Sequence, residues 1–146
     1  MRLTLALLAS LATPAFADND EATAGMGAPA GLFAATNKQD LPEIMLSAGQ
    51  PLGEAWHLKS GTYYEVEITS DGSQELALAG ADFLRAVWID EIVIEGLEIR
   101  PLGLDSVEFD EAGTMEIGFI AIKPGSYSLH VPGSTGESQM LRITIE

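Results

Sequence analysis

Two histidines, His57 and His130, and five methionines are the only nitrogen and sulfur side chains suited to a soft or borderline metal ion in this chain, which has no cysteine. An imidazole nitrogen binds many transition metals. A thioether prefers a soft ion such as cuprous ion. Among the methionines, Met26 falls in a stretch without apolar periodicity, and Met115 stands on an alternating apolar strand face, where methionine ordinarily fills core. Met140, just ahead of the last strand, is the thioether best placed to be a ligand, with His130 or His57 as its partner. The plainer alternative is that both histidines are ordinary surface residues. Distance along the chain does not tell whether they pair.

Oxygen ligands are abundant. Asp90-Glu91 with Glu95 and Glu98 form one acidic cluster, and Asp105, Glu108, Asp110 and Glu111 form another. Calcium or ferrous ion takes such oxygens, but neither stretch has the alternating Asp, Asn and Gly of a calcium loop. A solvated sheet edge explains them more simply, and charge there opposes edge-to-edge aggregation. Catalytic motifs are missing: no cysteine nucleophile, no Gly-x-Ser-x-Gly elbow, no Gly-rich phosphate loop and no His-Glu-x-x-His. The expectation is a non-catalytic protein.

The elements that would position these groups begin after an export signal. Arg2 precedes the apolar run from Leu3 to Ala12, and Ala15-Phe16-Ala17 ends it with small residues, the pattern of a cleavable secretory signal peptide. The run is shorter than the roughly 20 apolar residues of a membrane-spanning helix and is stopped by Pro14, so no span is expected in the mature chain. Cleavage after Ala17 leaves 129 of the 146 residues. It removes Arg2 and no acid, so the formal charge goes from −15 to −16. Such a surface repels nucleic acid and anionic lipid. Its electrostatic complement is a cation or a protein with a basic surface, although the charge also serves solubility alone. An exported chain without cysteine must be held by packing rather than disulfides. That suits a bacterial periplasm, the expected location.

Residues 18–42 are rich in Ala, Gly, Asn and Asp and read as a flexible tether, with Leu32-Phe33 as its only apolar cluster. From residue 43 to 146 the pattern changes to short alternating runs separated by turn residues, the mark of half-buried strands. Tyr64, Val66 and Ile68 share one face, against Tyr63, Glu65 and Glu67. Met115, Ile117, Phe119 and Ala121 share another. Tyr127, Leu129 and Val131 oppose Ser126, Ser128 and His130, and Leu141, Ile143 and Ile145 point inward from the final strand. Residues 81–88 are the only helix candidate. Many short strands at this spacing imply an all-β Greek-key sandwich or barrel, with Trp56 and Trp88 mainly in its core.

The last third carries a resemblance. Phe119-Ile120-Ala121-Ile122-Lys123-Pro124-Gly125-Ser126-Tyr127, then Pro132-Gly133, Met140 and the strand Leu141 to Ile145, resemble the aromatic strand, Pro-Gly-x-Tyr corner, ligand loop and closing strand of the cupredoxin family. Upstream, Leu58-Lys59-Ser60-Gly61-Thr62-Tyr63-Tyr64 and Ala81-Asp82-Phe83 are similar to further segments of such domains. The resemblance covers residues 43–146 and implies a small copper-protein sandwich. A blue-copper site needs two histidines, a cysteine and a weak axial methionine. At the positions the resemblance assigns to them stand Ala81, Val131, Ser134 and Met140, so only the methionine is kept.

The residues and the resemblance together lead to an exported cupredoxin-like module without a blue-copper centre. It would bind a periplasmic protein or take part in copper or iron handling, with Val131, Met140 and apolar neighbours filling the former ligand end. The alternative is a copper carrier or chaperone that uses Met140 with His130 or His57.

Overall fold

A computed structural model describes residues 31–146. The expected signal peptide and the first part of the expected tether lie outside the described residues.

Among the described residues, eleven strands form two sheets. The larger sheet contains β1 (Lys38–Asp40), β2 (Ile44–Leu46), β4 (Tyr63–Ser70), β6 (Val87–Ile94), β7 (Leu97–Ile99) and β9 (Gly113–Ala121). Its order is β1-β4-β9-β6-β7, with β2 paired to the far end of β4. The smaller sheet runs β3 (Trp56–Leu58), β11 (Met140–Ile145), β10 (Gly125–His130), β5 (Leu76–Ala79) and β8 (Ser106–Phe109). The chain crosses from sheet to sheet between β2 and β3, β3 and β4, β4 and β5, β5 and β6, β7 and β8, β8 and β9, and β9 and β10. This is the connectivity of a Greek-key sandwich. No described helix is long and apolar enough to cross a membrane.

The alternation seen in the sequence becomes the core. Tyr64, Val66, Ile68, Met115, Ile117 and Phe119 face inward from the larger sheet, and Leu129, Leu141, Ile143 and Ile145 from the smaller. A strand's side chains alternate between its two faces, so these registers leave Ser126, Ser128 and His130 outside. The Pro124-Gly125 corner is tied by the Tyr127 hydroxyl, which donates to the Lys123 carbonyl at 2.9 Å.

Three expectations change. The helix is only one turn, α1 (Ala81–Leu84). Its Phe83 plugs the sandwich edge-on against Phe119, with ring centroids 5.6 Å apart. From Val87 onward the aromatic and β-branched residues suit a pleated surface, and they pair with β9 instead of continuing the helix. Trp56 is buried, but Trp88 is 48 % exposed, because it lies on the outward side of β6 opposite Ile120. The described part of the expected tether, from Gly31 on, is mostly exposed but runs along the larger sheet. Two 3-10 turns lead into β1, which pairs in parallel with β4. Asn37 fastens this strap by donating from Nδ2 to the carbonyls of Leu32 and Gly61 at 2.8 and 2.9 Å.

The strap explains an unexpected burial. Tyr63 points outward from the larger sheet, yet it is wholly buried. Its ring lies under Phe33 at 5.8 Å between centroids, and the Lys38 ammonium sits 4.5 Å above it. The floor is Gly118, where an added Cβ would come within 3.1 Å of the Tyr63 ring carbon bearing the hydroxyl. Only glycine leaves room for the ring there.

Candidate functional site

The former ligand end and the outer face of the smaller sheet hold the sequence-derived candidates. On that face β10 and β11 run antiparallel, with His130 directly opposite Met140. Cross-strand partners place their Cβ atoms about 5 Å apart, so the structure brings this pair together. Both side chains are exposed. With Asp82, Ser128 and Arg142 they line one shallow depression. An imidazole, a thioether and a carboxylate therefore share a surface hollow.

His57 is not part of it. It pairs with Thr144 across β3 and β11. Thr144 and Met140 are four residues apart on one strand, which is about 13 Å at the rise of a β-strand. The outward residues Met140, Arg142 and Thr144 alternate along β11, so Arg142 stands between the two. Its guanidinium contacts Glu137 at 2.9 Å. A fixed positive charge beside Met140 works against a bound cation.

The four positions carried over from the resemblance do not converge. Ala81 and Met140 border the depression just described. Val131 and Ser134 border a different one, with Gly49, Glu75 and Gln139. Val131 is buried, and its N–H donates to the Gln139 carbonyl at 3.1 Å. Its carbonyl accepts from the Ser134 N–H at 3.2 Å. Leu52, also buried, donates its N–H to the Ser138 carbonyl. Val131 thus seals this end as expected, while Met140, 42 % exposed, does not fill it. Alternation decides this: Leu141 takes the inward place, and Met140 is turned out.

A type 1 copper ion does not fit these residues. The chain has no thiol to become the equatorial thiolate, and the positions that would carry imidazoles hold Ala81 and Ser134. Among the described residues, no group of three or more His, Cys, Asp or Glu side chains is arranged to hold a metal ion.

The acidic clusters find other uses. Arg100 gathers Asp90, Glu91 and Glu98, with contacts of 2.7, 2.9 and 3.1 Å. Asp90 owes its position to a bulge, since the register on β9 skips it between Ile89 and Glu91. It also accepts a hydrogen bond from the Tyr63 hydroxyl at 3.2 Å. Burial, then the Asp90 charge, push the Tyr63 phenol well above its ordinary pKa. Glu65, Glu67, Glu91 and Glu116 crowd the same outer face. There burial first, and the Glu65, Glu91, Glu67 and Asp40 carboxylates next, raise the Glu116 pKa. In the second cluster Asp105 meets Arg85 at 3.8 Å, while Glu108, Asp110 and Glu111 rim a groove beside β7. The sequence reading missed that groove and the strap. Leu32-Phe33 was the one available signal for the strap.

No family model matches the chain, and no curated protein matches it in sequence. Solved structures do resemble it. A multi-copper oxidase from Pseudomonas thermotolerans superposes with a TM-score of 0.54 at 15 % identity, over 76 % of this chain and 30 % of that one. A blue copper oxidase from Nitrosomonas europaea gives 0.51 at 14 %, over 65 % and 31 %. A copper nitrite reductase from the same organism gives 0.50 at 14 %, over 65 % and 33 %. The chain thus spans about a third of each, and identity this low speaks for architecture alone. With two packed sheets, the Tyr127 corner and these likenesses in hand, the fold is a cupredoxin-like β-sandwich.

Proposed function

We propose that this chain is an exported, non-catalytic cupredoxin-like module. It works in the periplasm by binding a protein partner, in the setting of copper or iron handling, and has no blue-copper centre. One observation carries the proposal: at the ligand end, where the fold could present a thiolate and two imidazoles, this chain packs Val131 into its core. The other carried-over positions are divided between two separate hollows. The strongly acidic exported chain favours a basic partner. The structural neighbours are copper enzymes, which supports the copper setting but not catalysis by this chain.

A second reading has its own observation. His130 and Met140 face each other across β10 and β11 and share their hollow with Asp82. A soft ion carried between proteins would use such a shallow, exposed N and S pair. Arg142 weighs against it. Titration of the exported chain with cuprous and cupric ions, followed by dialysis and metal analysis, decides between the two. The first reading expects no stoichiometric retention. Retention of one ion per chain, lost in Met140→Leu, would establish the carrier instead.

A further inference from the structure

The two sheets do not end together. The larger closes with the β6–β7 hairpin, whereas the smaller stops at β8. Within the hairpin Ile92 stands opposite Ile99 and Ile94 opposite Leu97, across a Glu95-Gly96 turn in which both residues have positive φ. Directly opposed residues share a face, so these four belong to the side that looks toward the interior. Ile92 is buried, but Ile94, Leu97 and Ile99 are 40, 63 and 40 % exposed. The hairpin overhangs, and its last interior-facing side chains are only partly covered by the smaller sheet. Below the overhang, half-buried Val107 and Phe109 of β8 complete a groove with Ile94 and Ile99.

The rim of this groove has one sign of charge. Glu95, Glu108, Asp110 and Glu111 line it, and no lysine or arginine does. The nearby cation, Arg100, is held by Asp90, Glu91 and Glu98. Glu98 alternates with Leu97 and Ile99, so this set lies on the opposite face of the hairpin.

We propose that this groove seats an extended segment of a partner protein, one whose aliphatic side chains are flanked by lysine or arginine. This rests on the binding-module reading above and locates its surface. The aliphatic residues meet Ile94 and Ile99 in the groove and the exposed Leu97 beside it, opposite Ile94, all only partly covered by the smaller sheet. The basic residues meet the four rim carboxylates. A second copy of this chain is a poor occupant, because it would bring carboxylates against carboxylates on a strongly acidic chain.

The test uses the full exported chain, labelled with nitrogen-15, and two nine-residue probes. One alternates leucine with lysine, and the other has glutamate for each lysine. In the amide spectrum the lysine peptide shifts residues 92–99 and 106–111, and it binds at least tenfold more weakly in 0.5 M salt than in 0.05 M. The glutamate peptide shifts nothing. Leu97→Asp and Glu108→Lys, both at exposed positions, each weaken the lysine peptide at least tenfold while the spectrum stays dispersed. Equal binding of both peptides, no binding, or shifts centred on Glu65, Glu67 and Glu116 would overturn the groove assignment. So would concentration-dependent shifts at the groove without peptide, which would identify a second copy as the occupant. Photo-cross-linking in the source cells separates this from the parent reading. An adduct from position 88 but not from position 97 removes the groove and keeps the binding module, and no adduct from either removes both.

Discussion

The two outer faces of the sandwich are built on opposite terms. On the larger sheet the chain has spent a strap, a bulge and a glycine floor to bury one tyrosine beneath Phe33 and Lys38. On the smaller sheet Ser126, His130, Met140 and Arg142 stand exposed and Ser128 is half-buried. The first face is therefore part of the folded core although it points away from it. The second contributes little to stability and is free to change. Outward alternation in a strand does not by itself mean solvent, since a neighbouring segment can turn an outer face into a second, smaller core.

The sharpest way to break that contrast is to truncate one residue on each face. Tyr63→Ala removes a wholly buried ring, and a loss of about 3 kcal/mol is expected. His130→Ala and Met140→Ala remove exposed side chains and should each stay within about 0.5 kcal/mol of the parent. Urea unfolding of the three variants measures this directly. A small effect at Tyr63 would mean that the strap does not cover it in solution.

The sequence disclosed one half of this contrast. Period-2 alternation identified the inward residues of β4, β9, β10 and β11, because apolar residues fall on every second position of these strands. It also placed His130 outside, and it placed the loss of the copper ligands, which depends on residue identity alone. Other features depend on which segments become neighbours. Phe33 and Tyr63 are thirty residues apart, and no local pattern says that one will cover the other. The exposure of Leu97 and Ile99 comes from the smaller sheet ending early, whereas their own alternation reads like that of a buried strand. The meeting of His130 and Met140 is a matter of register across a loop, and the separation of His57 is another.

Gly118→Ala tests the floor of the covered face. Its new Cβ points at the Tyr63 phenol, and overpacking of this kind costs about 2 kcal/mol. The ring and strap must move, so Tyr63 fluorescence and amide exchange at residues 33–40 should change together. The same substitution in a Tyr63→Ala background should cost much less, because the two residues share one space. Equal costs in both backgrounds would separate the glycine from the ring.

Phe33→Ala probes the cover itself. Phe33 is half exposed but touches both Tyr63 and Trp88, with centroids 5.8 and 5.5 Å away. Its loss should cost about 1 kcal/mol and red-shift Trp88 emission as water reaches the indole. Stability lost without a change in Trp88 emission would place the effect elsewhere in the strap.

The smallest effect has the opposite sign, and it shows what the covered face costs. Glu116 lies directly opposite Glu67 on the adjoining strand. Its pKa is raised by partial burial first and by neighbouring carboxylates next. A carboxyl whose folded pKa exceeds its unfolded one binds its proton more tightly in the native state. Its favourable contribution is complete below the unfolded value, near the ordinary 4.5, and is lost as pH rises through the higher folded value. At pH 7 the charged form therefore opposes folding. Glu116→Gln should stabilise the protein by about 0.5 kcal/mol at pH 7, the scale of one like-charge cross-strand pair. The gain should shrink as pH falls and disappear below the unfolded pKa, where the parent is already neutral at this position. Thermal melts of both proteins between pH 3.5 and pH 7.5 would show two curves that meet at the acid end. Parallel curves would mean that the substitution acts through packing, leaving the crowded carboxylates without a measurable energetic role.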